Sequence, residues 1–128
     1  MKVPRLLVLT DRRQLPGGRT LLDTVVRCAE AGATTVVLRE LDLPALERAE
    51  LAATLAAHVR VVSARTPLPC ATGVHLAAHQ SVRAARDAVH GRSCHDEDEV
   101  GQAATEGAAY VTVSPVAATA SKPGYGPA

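Results

Sequence analysis

The sequence predicts an α/β fold built from parallel strands with helices between them. Five short apolar runs of strand length, and a sixth candidate strand without such a run, alternate with helical or loop segments along the 128 residues. These runs are mostly apolar and do not alternate regularly with polar residues, which is typical of strands covered on both faces. Strands joined by helical crossovers run parallel. An apolar content of 47% and a net charge of +1 fit one packed domain over residues 1–128.

The first two βα units follow from apolar spacing and from turn residues. Residues 6–10 form the first predicted strand, and residues 21–31 carry apolar side chains at helical spacing before a glycine. Residues 34–38 are a second, β-branched strand. A second helix is predicted over residues 44–58, because a proline is tolerated in its first turn. Asp42 is the candidate cap of that helix.

The middle of the chain contains two strands with little helix between them. Residues 59–63 form the third predicted strand, and Pro67 and Pro69 then break the chain, so the third helix is reduced or missing. Residues 73–76 are the fourth strand. Residues 81–89 have apolar side chains on one helical face and predict a helix.

The last units are less uniform. Residues 90–94 are the weakest predicted strand, because they contain no apolar run. Residues 96–106 form an amphipathic helix whose acidic first turn suits the helix dipole, and Gly107 ends it. Residues 110–113 are the sixth strand, and residues 114–128 are a tail rich in proline and glycine.

Polar residues follow most of the predicted strands. In parallel α/β folds the chemistry lies at the C-terminal ends of the strands, so these side chains are expected to share one rim. Arginines, histidines, hydroxyls and a lysine on one rim suit an anionic ligand such as a phosphate ester. For any single residue a structural contact, such as a pair between Arg39 and Glu40, stays open. The rim residues are Asp11, Arg12, Arg39, Glu40, Ser63, Arg65, His75, Gln80, Ser93, His95 and residues 114–122.

Composition excludes several other classes of function. The near-neutral charge gives no electrostatic reason to expect nucleic acid or a membrane surface as a partner. No apolar run approaches the roughly 18 residues of a membrane-spanning helix. The run after the N-terminus is too short for a signal-peptide core, so a cytoplasmic location is expected. The three cysteines have no metal-type spacing and are expected to be reduced thiols.

Periodicity leaves two parallel architectures open, an eight-stranded barrel and an open doubly wound sheet. The chain length of 128 residues favours the open sheet, because such barrels typically run to about 250 residues.

Five segments resemble, in order, motifs of the thiamine phosphate synthase and thiazole tautomerase family. Residues 36–42 are similar to the family's Val-Gln-Leu-Arg-Glu-Lys-Asp strand, and residues 73–76 to its Gly-Val-His-Leu strand. Residues 91–95 resemble its Gly-x-Ser-x-His segment. Residues 108–116 and 119–124 resemble Ala-Asp-Tyr-Val, Gly-Pro-Val and Thr-x-Thr-Lys-Pro-Gly. The resemblance implies a (β/α)₈ barrel of TIM-barrel type, incomplete at about six βα units and not closed.

The family has two branches with different chemistry. The synthase joins a pyrimidine diphosphate to a thiazole phosphate with Mg²⁺ held by carboxylates, whereas the tautomerase moves a proton on a carboxythiazole phosphate without a metal. The two carboxylate positions fall on Ala64 and Gln80, so no cofactor and no metal ligand are expected and the tautomerase branch is implied. His95 matches the family histidine and is the candidate catalytic acid–base. Its competing role is to cap the helix that begins near Asp96.

Other residues receive their roles from the same resemblance. Family positions that contact phosphate or pyrophosphate are matched by Arg39, Ser93, Thr119, Ser121 and Lys122. A phosphorylated thiazole is therefore the expected partner.

The remaining histidines are expected to be structural or superficial. His75 is predicted to point into the packed barrel, and His58, His79 and His90 are predicted to lie on the surface. Arg92 extends the resemblance to the tautomerase branch, because the segment Gly-Arg-Ser-x-His at residues 91–95 is similar to that branch.

The family's last two strands have no counterpart in this chain. Such strands usually carry the phosphate-binding loop of these barrels, and their absence leaves the first and sixth strands as open edges. Open edges favour a homo-oligomer or a complementing C-terminal chain. The alternative function is therefore a non-catalytic truncated remnant that needs the missing C-terminal part for activity. A third possibility is Mg²⁺-dependent synthesis with substitute ligands.

Overall fold

The computed structural model describes residues 2–115 and contains one sheet of six parallel strands. Each strand pairs with the next one in the chain, in the order β1 to β6. A sequential order is that of a barrel wall, whereas the order of a doubly wound sheet reverses at a switch point. The predicted incomplete barrel is confirmed. The elements are Val8–Leu9 (β1), Leu21–Glu30 (α1), Thr35–Leu38 (β2), Ala45–Ala56 (α2), Arg60–Ala64 (β3), Gly73–Leu76 (β4), His90–Cys94 (β5), Glu97–Glu106 (α3) and Tyr110–Val113 (β6).

The outer face of the sheet packs against helices α1 and α2. Val36, Leu38 and Val61 lie in one apolar cluster with Val25 of α1 and Leu55 of α2, and all five are at most 2% exposed. Burial of each such side chain contributes roughly 1.5–3 kcal/mol relative to its exposed state. This cluster is the main core.

The inner face is apolar on β1 to β3 and polar on β4 to β6. A second cluster fills the apolar half, and register pairs its member Ala64 with His75 of β4. Because paired residues point to the same face, His75 also faces inward, as does Ser93 of β5. The cluster consists of Val37, Val62, Ala64, Leu7 and Leu41.

Local signals set the ends of α1 and α3 within one residue of the predicted bounds. Thr20 accepts the amide hydrogen of Asp23 at 3.1 Å and begins α1. Asp96 accepts that of Glu99 at 2.9 Å and begins α3. Gly107 ends α3 in the left-handed conformation, with φ of 87°, which glycine adopts without steric cost.

The helix predicted over residues 81–89 is wrong. The segment forms only a 3₁₀ turn at Val82–Ala85, and the next residue, Arg86, has φ of 54°. The carbonyl of Val89 already accepts the amide hydrogen of Val74 in β4 at 2.9 Å. The backbone must therefore be extended there, which leaves no room for a longer helix.

Two smaller predictions at the start of the chain are also wrong. Strand β1 is limited to Val8–Leu9, with Leu6 65% exposed, because an edge strand is held by one neighbour only. Asp42 does not cap α2. Pro44 occupies the cap position without a side-chain bond, and Asp42 pairs with Arg12 instead.

Helix α3 is anchored to β5 by a buried polar cluster. Glu106 accepts hydrogen bonds from His90 at 2.8 Å and from Nε of Arg92 at 2.7 Å. His90 is 7% exposed, so its predicted surface position is wrong. Burial acts to raise the pKa of Glu106, but the bonds from Arg92 and His90 outweigh it, and the net shift is downward. Strand β5 can be buried without an apolar run, because the carboxylate of Glu106 accepts hydrogen bonds from its polar side chains His90 and Arg92.

Arg92 also holds the loop that follows β4. Its Nη1 donates to the carbonyls of Ala77 at 2.8 Å and Gln80 at 2.7 Å, and its side chain is 5% exposed. Arg92 is therefore directed toward the helix layer and away from the inner face. Among residues 2–115, no helix is long and apolar enough to cross a bilayer.

Candidate functional site

One row of paired residues crosses the polar half of the inner face. Ala64 of β3 pairs with His75 of β4, His75 with Gly91 of β5, and Gly91 with Tyr110 of β6. The four residues therefore point to the same face at the same height of the sheet. Two of them lack a long side chain, which leaves space beside the His75 ring.

His75 is the centre of a hydrogen-bonded group on this row. Its Nδ1 lies 2.9 Å from the hydroxyl of Tyr110, and its Nε2 lies 2.8 Å from Oγ of Ser93. Burial lowers the pKa of His75 to about 4, and the positive charges of Arg39 and Arg92 add to this shift. The ring is therefore neutral at pH 7 and acts through hydrogen bonds.

Tyr110 reaches His75 across the strand between them. Its ring stacks with the imidazole at a centroid distance of 5.6 Å and occupies the space in which a Cβ of residue 91 would lie. Gly91 is thus required for this contact. Burial raises the pKa of Tyr110 to about 12, so its phenol remains protonated.

Arg39 is a cationic side chain at the rim of the sheet whose charge acts on His75. It directly follows β2, its side chain is exposed, and its charge is one of those that lower the pKa of His75. Glu40 accepts bonds from Thr10 at 2.6 Å and from Arg12 at 2.8 Å, so the pairing of Arg39 with Glu40 is wrong. Arg12 also donates to both oxygens of Asp42, which lowers the pKa of that carboxyl to about 2. The guanidinium of Arg12 is therefore paired with the carboxylates of Glu40 and Asp42.

His95 lies at the C-terminal end of β5 and is held by Glu99 of α3. One carboxylate oxygen of Glu99 accepts two hydrogen bonds from His95. The backbone amide of His95 donates one, at 2.6 Å, and its ring Nδ1 donates the other, at 3.0 Å. Asp96 is the residue that caps α3, so a capping role for His95 is wrong. The second oxygen of Glu99 lies 3.9 Å from Nε2 of His79, which is exposed as predicted. A histidine–carboxylate pair thus stands two residues beyond Ser93.

The family of the chain follows from a match over nearly its whole length. Residues 6–128 match the sequence model of the family described as thiamine monophosphate synthase. The chain belongs to this family. It is a family of thiamine biosynthesis.

Individual relatives agree with this assignment. The chain is 39% identical over 134 residues to a thiamine-phosphate synthase of Solidesulfovibrio magneticus, covering 93% of this chain and 63% of the relative. It is 35% identical to a putative thiamine-phosphate synthase of Geobacter sulfurreducens, covering 94% and 63%. It is 31% identical to putative thiamine-phosphate synthase 2 of Aquifex aeolicus, covering 96% and 73%. The chain therefore spans about 63% of the length of the first two relatives.

A solved structure supports the fold. The thiamine phosphate pyrophosphorylase from Pyrococcus furiosus superposes with a TM-score of 0.73 at 24% identity, over 88% of this chain and 61% of that one. This likeness shows the barrel-type fold and no more.

The positions at which the thiamine phosphate synthase branch places magnesium ligands do not fit a divalent cation here. The side chain of Ala64 offers no ligand atom, and its carbonyl accepts the amide hydrogen of Thr66 at 2.9 Å. The amide of Gln80 is already used, because Oε1 accepts the amide hydrogen of Ala77 at 3.0 Å and Nε2 donates to the carbonyl of Arg65 at 2.6 Å. Within residues 2–115 no three His, Cys, Asp or Glu side chains stand close enough to hold one ion.

The structure brings two of the predicted site residues of this family member together. Ser93 bonds to His75 and the charge of Arg39 acts on that ring, while His95 is at the same end of the sheet but turns to α3. Thr119, Ser121 and Lys122 lie outside the described residues. The predicted inward position of His75 is confirmed, but its contacts with Tyr110 and Ser93 were missed from sequence. The available signal was the alternation of side chains along each strand. It places His75 and Ser93 on the same face only when the register between β4 and β5 is known.

Proposed function

We propose that this chain binds a phosphorylated thiazole on its inner face and moves a proton on it without a metal, as a thiazole tautomerase of thiamine biosynthesis. The positive charge of Arg39 and the hydroxyl of Ser93 suit the phosphate. Val37, Val62 and Ala64 offer the apolar surface against which a heterocycle packs.

The observation that carries this proposal is the pair between His95 and Glu99. A carboxylate on Nδ1 favours the tautomer with the proton on Nδ1 and the lone pair on Nε2. His95 would take a proton from one atom of the thiazole and return it to another, so the reaction consumes no other group. Such acid–base catalysis contributes about 10²- to 10⁴-fold in rate.

The rim also supports a reaction without a divalent cation. The two positions that would carry ligands are an alanine and a glutamine whose amide is bonded to the backbone on both sides. Transfer of a proton within one molecule releases no pyrophosphate, so it needs no cation to neutralise a leaving group.

Replacement of His95 tests the proposal. We expect His95→Ala to lower kcat for carboxythiazole phosphate about 10²- to 10⁴-fold while the melting temperature stays near that of the unmodified chain. Glu99→Gln should give a smaller loss. His58→Ala is the matched control, because His58 is an exposed histidine at the opposite end of the sheet. Equal activity of the His95 and His58 variants would refute the proposal.

A second candidate is a remnant that is inactive without further βα units. It is favoured by the open edges, because Leu9 of β1 and Val113 of β6 are 48% and 52% exposed. This candidate predicts neither turnover nor a cooperative melt alone, and recovery of both when a polypeptide with two further βα units is added. If the chain couples a pyrimidine diphosphate to a thiazole phosphate in magnesium buffer, and EDTA abolishes the reaction, its activity is instead that of a synthase, as in the names of the relatives.

A further inference from the structure

Three side chains on β4, β5 and β6 form one hydrogen-bonded chain. Tyr110 and Ser93 bond to opposite nitrogens of the His75 ring, at 2.9 and 2.8 Å. A neutral imidazole has one donor and one acceptor nitrogen, so its tautomer sets the direction of both bonds. Either Tyr110 donates and Ser93 accepts, or the reverse.

The chemistry of the two hydroxyls favours donation by Tyr110. A phenol is a stronger donor and a weaker acceptor than an aliphatic hydroxyl, because its oxygen lone pairs are delocalised into the ring. Tyr110 also stays protonated, since burial raises its pKa to about 12. If Tyr110 donates to Nδ1, the proton of His75 is on Nε2 and is donated to Ser93.

Gly91 allows this contact. Neighbouring strands are about 4.8 Å apart, so a side chain that bridges β6 and β4 must cross roughly 10 Å over the strand between them. Gly91 pairs with both Tyr110 and His75, and a Cβ at this position would overlap the Tyr110 ring. The row therefore has its smallest residue where the ring needs space.

We propose that Tyr110, lying over Gly91, fixes His75 in its Nε2–H form and so makes the hydroxyl of Ser93 the hydrogen-bond donor to an anionic ligand oxygen. Because Ser93 accepts from His75, its own hydrogen is left for the ligand. Bonds linked in this way polarise one another, which strengthens the last one. The ligand class is an oxyanion such as a phosphate ester, and Arg39 supplies the charge. The identity of that ligand rests on the proposed function, while Tyr110 is a positioning residue that acts through His75.

The tautomer of His75 is measured directly by ¹⁵N NMR on the labelled 128-residue chain at pH 7. We expect a protonated Nε2 and an unprotonated Nδ1, whose nitrogen shifts are well separated. Tyr110→Phe should abolish this single preference. A protonated Nδ1 in the unmodified chain, or ring shifts averaged between both forms, would overturn the proposal. This readout needs no substrate and is independent of whether His95 is catalytic.

Titration with inorganic phosphate tests the consequence for binding. We expect Ser93→Ala to weaken phosphate binding about tenfold and Tyr110→Phe about fivefold, as the loss of one hydrogen bond implies. In the Ser93→Ala background, Tyr110→Phe should then change affinity less than about twofold, because Tyr110 acts through Ser93. Independent, additive losses would show a merely structural role for Tyr110. Absence of phosphate binding to the unmodified chain would overturn the anion-binding role.

The tautomerase assay separates the failure of this inference from that of the proposed function. Loss of turnover in His95→Ala together with a protonated Nδ1 on His75 would refute the inference alone. The expected tautomer and phosphate affinities together with unchanged turnover in His95→Ala would refute only the tautomerase.

Discussion

Arg92 connects three parts of the molecule, and its removal should cost more stability than the loss of any surface charge. In the Arg92→Met variant, the unbranched methionine side chain replaces the aliphatic stem of arginine and removes the guanidinium. Glu106 then loses its bond from Nε at 2.7 Å, and the carbonyls of Ala77 and Gln80 lose their bonds from Nη1 at 2.8 and 2.7 Å.

The size of the effect follows from burial. The side chain of Arg92 is 5% exposed and that of Glu106 is 20% exposed. Removal of one partner from a buried ion pair costs about 3–5 kcal/mol. Glu106 keeps His90 and some contact with water, so the lower end, about 3 kcal/mol, is expected. The free energy of unfolding of a native protein is about 5–15 kcal/mol, so this loss is a large fraction of the stability.

Urea unfolding followed by circular dichroism measures this change. Arg83→Met is the matched control, because Arg83 is exposed in the neighbouring 3₁₀ turn and its loss should stay within about 0.5 kcal/mol. In a Glu106→Gln background, Arg92→Met should cost at least about 1 kcal/mol less than in the unmodified chain. A loss below about 1 kcal/mol, or full additivity with Glu106→Gln, would refute the reasoning.

Two further predictions concern a histidine and the thiols. Folding lowers the pKa of His75 from 6.5 to about 4, so the unfolded chain binds the proton first. The associated stability, on the order of 3 kcal/mol, is complete above pH 6.5 and is lost as the pH falls toward 4. His75→Asn should flatten the pH dependence of the urea midpoint in this window, and an unchanged slope would contradict the buried neutral ring. Cys70 is exposed, whereas Cys94 is 1% exposed with a pKa raised by burial and by the charge of Glu99. A thiol reagent should label Cys70 at once and Cys94 only in urea, and rapid labelling that disappears in Cys94→Ser would contradict this.

Site residues were predictable only in part. Arg39 and Ser93 could be named because family motifs fix them along the chain; Ser93 bonds to His75, and the charge of Arg39 acts on its ring. The role of Arg92 could not be predicted, because the resemblance marked it only as a residue typical of the tautomerase branch, and the carboxylate that binds it lies in another element. Glu106 is 14 residues away, and no local pattern connects the two.

The sequence by itself determined the order of the elements, the parallel direction of the strands and most helix ends. These depend on local features: apolar spacing, the capping Asp96 and the left-handed Gly107 act within a few residues of where they stand. The resemblance of its motifs then decided for the barrel against the open sheet.

Tertiary structure alone decided which side chains meet. Register between strands places His75, Gly91 and Tyr110 in one row, although 35 residues separate the first from the last. It also decided that residues 81–89 are not a helix, because Val89 pairs with β4. The physical reason is the same in both cases: a hydrogen bond between strands depends on partners that are distant in sequence, and a shift of one residue would turn every side chain to the other face.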